Sequence, residues 1–223
     1  LIHKEALDLQ APRSQFQFSK ADRQAMLEDV AMADELFDRN LPSHLKRLSQ
    51  VHWTPAVVAE QVALYLEKLP PTTRLIDIGS GVGKFCVLLA LQAQVQISGI
   101  ENRPELYKIS EQIKNANALS HVHFIRGDML DLIWDSYDVF YLYNPFQEHV
   151  LRSDEDKFDR LHQFDRSRYA TYTSEVFRQL CFAEPGKHFI TYHGYGGLVP
   201  ESYTLVQQRD ISGGELCFWE KTS

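Results

Sequence analysis

Cysteine is scarce, with only Cys86, Cys181 and Cys217 among 223 residues, each isolated within an apolar run. That spacing argues against a disulfide framework or a thiolate zinc site, and fits reduced core thiols in a cytoplasmic protein. Long hydrophobic runs are missing as well. No stretch approaches the roughly 20 apolar residues of a membrane span, so no membrane partner is expected. No secretory apolar segment lies near the start, although the chain begins at Leu1 and a removed leader stays open. Positive charge is in deficit: 30 acidic against 23 basic side chains give a net charge of −7. Nucleic acid is therefore a less favoured partner, unless a local basic face overrides the average. Internal repeats and low-complexity segments are absent. The chain is 44% hydrophobic and 24% charged, ordinary for a soluble globular protein and long enough to bury one sizeable core.

Hydrophobic periodicity organises the chain. From Ser19 to about Asn40 apolar residues recur at helical spacing (Met26, Val30, Ala33, Phe37), with Ser19 and Asp22 forming a capping-box-like start. Thr54-Pro55 opens a second helix, with Thr54 read as N-cap and Pro55 as first helical residue, and Pro70-Pro71 ends it. Strands then alternate with helices: strands at 74–78, 95–100, 121–125, 138–143 and 187–193, helices at 84–93, 104–118 and, in two pieces, 153–182. Segments 203–209 and 215–220 flank Gly213-Gly214 and read as a terminal hairpin. This alternation predicts an α/β fold: a doubly wound, mostly parallel sheet with a C-terminal antiparallel hairpin, preceded by an N-terminal helical segment. Residues 1–50 are expected to form a helical cap and residues 51–223 the α/β domain. Ligands of such sheets lie beyond the carboxyl ends of the strands, at the topological switch point.

Asp77-Ile78-Gly79-Ser80-Gly81-Val82-Gly83 joins the first strand of that set to an apolar helix. A glycine-rich turn there can take positive φ and lets a ligand approach bare backbone. A dinucleotide loop needs a third glycine at position 84. Lys84 stands there, and the glycine falls at Gly83 instead. Strand two ends in Gly99-Ile100-Glu101-Asn102, which places an acidic side chain where both hydroxyls of a ribose could donate to it. Strand three ends in Arg126-Gly127-Asp128-Met129, and strand four in Tyr143-Asn144-Pro145-Phe146.

The Asp-x-Gly-x-Gly-x-Gly loop strongly resembles that of the class I S-adenosylmethionine-dependent methyltransferases. Across residues 53–146, the order and spacing of Asp-Ile-Gly-Ser-Gly-Val-Gly, Gly-Ile-Glu-Asn, Arg-Gly-Asp-Met-Leu and Tyr-Asn-Pro-Phe are similar to the non-SET histone lysine methyltransferases. The resemblance covers the cofactor half alone and makes histone itself an unexpected substrate. It implies S-adenosyl-L-methionine as cofactor, held by Asp77, Gly79, Ser80, Gly81 and Gly83, with backbone N–H groups of Lys84 and Phe85 near its carboxylate. Glu101 with Asn102 would take the ribose, Asp128 the exocyclic amine of adenine, and Met129 the adenine face. Asp128 also reads as an ordinary cap of the following turn. Thr54 would pack over the methionine end of the cofactor, or simply start its helix.

Methyl transfer from a sulfonium is an in-line displacement, so the protein must chiefly align a nucleophile about 3 Å from the methyl carbon and exclude water. Asn144 and Pro145 would offer an amide oxygen and a carbonyl to an acceptor amine, and Phe146 a stacking face; the resemblance implies that Asn144 also borders the cofactor. Adenine-methylating enzymes carry a second proline in this motif, which this chain lacks. His193 is a candidate general base, or part of an aromatic wall with Tyr192 and Tyr195. His121 and His123 have no further ligand at suitable spacing, so no metal is assigned. The expected activity is methyl transfer to a nitrogen nucleophile on a protein side chain or a small molecule. Adenine methylation in nucleic acid and a cofactor-binding sensor or partner subunit without turnover are the alternatives.

Overall fold

A computed structural model describes residues 15–146 and 166–223. Four helices come first: α1 (Lys20–Glu28), α2 (Val30–Asp38), α3 (Ser43–His52) and α4 (Ala56–Leu66). The helix expected over 19–40 is two helices, because Asp29 turns extended (φ −139°) and its carboxylate accepts from the N–H groups of Ala31 and Met32. The capping box at Ser19 and Asp22 is present. Thr54 is not the cap of α4. Pro55 occupies that position, and the Asp34 carboxylate accepts from the Ala56 N–H in its place. Sequence reading missed α3, whose N-cap is Pro42 with no side-chain cap bond.

The strands are β1 (Arg74–Ile78), β2 (Gln96–Glu101), β3 (Val122–Arg126), β4 (Val139–Tyr143), β5 (His188–Tyr192), β6 (Tyr203–Ile211) and β7 (Gly214–Lys221). Helices α5 (Lys84–Ala90), α6 (Pro104–Ala116) and α7 (Arg166–Phe182) connect them. The expectation of helix from Ser153 falls, up to residue 165, outside the described residues. The sheet runs β3-β2-β1-β4-β5-β7-β6. β1 to β5 are parallel, and β7 joins β5 and β6 antiparallel. The order reverses between β1 and β4, which makes that edge the switch point.

Leu75, Ile76 and Ile78 of β1 and Val139 to Leu142 of β4 are almost wholly buried, as parallel strands covered on both faces must be. Helix α5 is buried along its whole length, between the sheet and the N-terminal helices. Phe16, Phe18, Phe37, Leu41 and Leu45 join the same core as Val62, Phe85 and Ile97. Polar ties add to that packing: the Asn117 side chain donates to the Phe16 carbonyl and accepts from the Phe18 N–H, while Arg23 donates to the Asn117 carbonyl. No helix among the described residues is long and apolar enough to cross a membrane.

Candidate active site at the switch point

The glycine loop wraps the carboxyl end of β1 with Gly79, Gly81 and Gly83 all at positive φ (+83°, +57° and +80°). Gly83 has a second reason to be glycine, since a Cβ there would collide with the ring of Phe124. Two clefts open on the loop and share Ile78 and Gly79. The first lies over the ends of β2 and β3 and is lined by Glu101, Asn102, Asp128, Met129, Phe146 and Tyr172, among others. The second lies beneath the N-terminal helices, lined by Trp53, Thr54, Asp77, Ser80, Lys84, Phe85 and Tyr143, among others. Most of the sequence-predicted residues line one or other of these clefts, but Gly81, Gly83, Asn144 and His193 are in neither lining.

Glu101 is 2% exposed and fully engaged. One carboxylate oxygen accepts from the N–H and Nε of Arg103, at 2.9 and 2.8 Å; the other accepts from the Gly81 N–H at 2.9 Å and from Arg103 Nη2 at 3.2 Å. These four bonds match the acceptor capacity of a carboxylate. A diol arriving there must exchange with the guanidinium, while the bond to Gly81 holds the loop. Sequence reading missed Arg103, although it stands only two residues after Glu101.

Asp128 caps the short turn Met129–Asp131, its Oδ1 accepting from the Leu130 N–H at 3.0 Å. Its Oδ2 accepts from the Tyr172 hydroxyl at 2.7 Å. Phe146 stacks on Tyr172 at 5.1 Å and 20°. The acceptor-facing ring expected at Phe146 therefore stands in the first cleft, beside Met129, rather than in the second.

Asp77 is wholly buried beside Glu101, and burial pushes its carboxyl up to about 7 despite a 3.4 Å hydrogen bond donated by Cys86 Sγ. Burial also drives the Cys86 thiol well above its ordinary value. Thr54 Oγ1 meets Tyr141 Oη at 2.9 Å, so its hydroxyl serves the sheet rather than a helix cap. Tyr141 stacks on Phe85 at 3.8 Å and 11°. Ser80 Oγ is buried with no hydrogen-bond partner, the kind of orphaned polar atom a ligand can satisfy. The side chain of Lys84, 4% exposed, reaches toward the N-terminal helices. Its ammonium meets Asp34 at 2.8 Å, Asp38 at 3.2 Å and Ser49 Oγ at 2.8 Å. Here a lysine takes the place where a dinucleotide loop would need glycine, and it ties the start of α5 to α2 and α3. The i, i+4 pair Asp34 and Asp38 was the sequence signal for that role.

Asn144 has φ +36°, and its N–H donates to the Gly194 carbonyl at 3.1 Å. It sits between Tyr143, which lines the second cleft, and Pro145, which lines the first. A Cβ on Gly79 would stand 3.1 Å from Pro145 Cβ, so glycine loop and β4 end nearly touch at the junction. His193, also at positive φ, is exposed; its ring lies 5.7 Å from that of Tyr143 and against Gly214 of the hairpin turn. It borders neither cleft. No cluster of potential metal ligands occurs among the described residues.

Residues 70–194 match the family described as a methyltransferase domain. No curated protein matches the chain. Solved structures share the fold. An RNA methyltransferase from Salinibacter ruber, in complex with S-adenosyl-L-homocysteine, superposes with a TM-score of 0.54 at 20% identity, over 76% of this chain and 94% of its own. TrmN from Thermus thermophilus does so with 0.54 at 17%, over 78% and 51%. The mitomycin 7-O-methyltransferase MmcR reaches 0.54 at 14%, over 90% and 60%.

Proposed function

Because this chain belongs to the methyltransferase-domain family, we propose that it binds S-adenosyl-L-methionine across the two joined clefts and transfers its methyl group to a nitrogen nucleophile. One observation carries this reading: both clefts reach Gly79, which lies against Pro145, the residue after Asn144 at the end of β4. The residues present fit the cofactor. Gly79 presents bare backbone to both clefts, Glu101 would offer a buried carboxylate to a ribose once the diol displaces Arg103, and Asp128, Met129 and Phe146 surround a site for a flat base. Asp77, Ser80 and the turn into α5 at Lys84 and Phe85 would hold the amino-acid end.

The bound cofactor supplies a methyl group already activated on a sulfonium. The protein's part is alignment and exclusion of water. Two acceptors, the Asn144 amide oxygen and the Pro145 carbonyl, hold an incoming amine by its N–H groups and direct its lone pair toward the junction. Tyr143, raised above its ordinary value by burial, stays neutral beside that path. The N-terminal helices, pinned through Lys84, cap the second cleft and set which acceptor enters. The pair of acceptors at Asn144 and Pro145 is what favours an amine acceptor, on a protein or a small molecule.

The test is transfer of radiolabelled methyl from S-adenosylmethionine into a cell extract, fractionated into protein, nucleic acid and small molecules. Label should enter the protein or small-molecule fraction and disappear with Gly79→Val. Label confined to nucleic acid would overturn the acceptor class, and no label in any fraction would overturn the transferase reading.

A further inference from the structure

Tyr172 stands on α7, distant in sequence from every motif of the glycine loop, yet it lines the first cleft and is 4% exposed. Its hydroxyl donates to Asp128 Oδ2, while the Leu130 N–H holds Oδ1. Two of the roughly four acceptor sites of the carboxylate are thereby used, one on each oxygen, which fixes its plane and leaves each oxygen one free lone pair. The Tyr172 ring also stacks on Phe146, two residues after Asn144.

We propose that Tyr172 is a positioning residue for the base of the nucleoside. It locks Asp128 as a rigid acceptor for an exocyclic amine and, through Phe146, ties recognition of the base to the β4 segment that faces the acceptor. The inference rests on the nucleoside reading given above. A carboxylate held on both oxygens cannot rotate to suit a different base edge. A carbonyl in place of the amine would meet an acceptor with no proton between them, leaving buried polar groups unpaired. A free carboxylate could turn away and tolerate the change. Tyr172 therefore sets selectivity for the base more than affinity for the rest of the ligand.

Calorimetric titration with S-adenosylhomocysteine and with S-inosylhomocysteine, whose base carries a carbonyl in place of the amine, tests this on the intact chain. The wild type should prefer the adenosine ligand by about tenfold or more, the range for a hydrogen bond to a charged group. Tyr172→Phe keeps the ring and its stacking, so the melting temperature should move by only a few degrees while the preference falls several-fold. In an Asp128→Ala background the same change should leave the preference unaltered, an outcome that a purely structural role for the tyrosine would not produce. An unchanged preference in Tyr172→Phe, with wild-type binding intact, overturns the inference alone. Failure of the wild type to bind either ligand overturns the nucleoside reading and the inference with it.

Discussion

Replacing Asp77 by Asn should change how stability depends on pH. Asp77 is wholly buried, Glu101 adds like charge, and no cation is among the groups that shift it, so its carboxyl titrates near 7 in the folded protein. Unfolded, it titrates near the ordinary 3.8. Between those values the native state binds the extra proton, so stability must fall as pH rises. The part present below pH 4 is lost as pH climbs through 7. Three units correspond to about 4 kcal/mol, of which about 3 kcal/mol goes between pH 5 and pH 8. Other groups titrate in this range too; His188 is lowered by burial and acts with the opposite sign. They are common to both proteins, so the wild-type-minus-variant difference isolates Asp77. Urea unfolding at pH 5 and pH 8 reads it directly: Asp77→Asn should gain on the wild type by about 3 kcal/mol at the higher pH. A difference that does not move with pH would show that Asp77 is ionised in the fold and refute the reasoning.

Three further outcomes follow from the same geometry. Gly83→Ala should destabilise by about 3 kcal/mol in chemical unfolding, because positive φ and the Phe124 ring both oppose a side chain there. Lys84→Met leaves Asp34 and Asp38 facing each other without their cation. It should cost about 3 kcal/mol, the lower end for breaking a buried pair since both carboxylates are partly exposed, and should speed proteolysis of the N-terminal helices. Asn144→Ala should leave S-adenosylhomocysteine affinity within a few-fold but cut turnover by about 10²-fold, since alignment acts in the transition state. Full turnover would make the segment a plain turn.

Much of this fold was legible because local and global signals agree. The parallel strands are short, mostly apolar runs, helices such as α2 and α6 carry one apolar face, and glycine marks the β1–α5 turn. Much of what escaped the sequence is side chains whose bonds periodicity does not mark, some to near neighbours and some to distant partners. Asp29 reads as one more polar residue on a helix face, and only its capping of Ala31 and Met32 breaks the helix. Thr54 has the chemistry of a cap, but Tyr141, 87 positions away, takes its hydroxyl, and Asp34 caps the helix instead. The candidate site followed the same pattern. Glu101, at the end of β2, and the glycine loop stood out by position, while Asp128 and Met129 were singled out by the family resemblance; all but residues 81–83 of these line the clefts. Arg103, which saturates Glu101, and Tyr172, which holds Asp128, belong to no local motif. Phe146 was visible as a residue but not as a direction, since its stacking on Tyr172 turns it into the first cleft.

The central claim is that the joined clefts hold an S-adenosyl nucleoside. Isothermal titration of the purified protein with S-adenosylhomocysteine, beside a parallel titration with a nicotinamide dinucleotide, tests it most directly. The account predicts micromolar binding of S-adenosylhomocysteine, weakened about tenfold or more in Glu101→Ala by loss of the ribose acceptors, and no binding of the dinucleotide. Tight dinucleotide binding with no response to S-adenosylhomocysteine would contradict it.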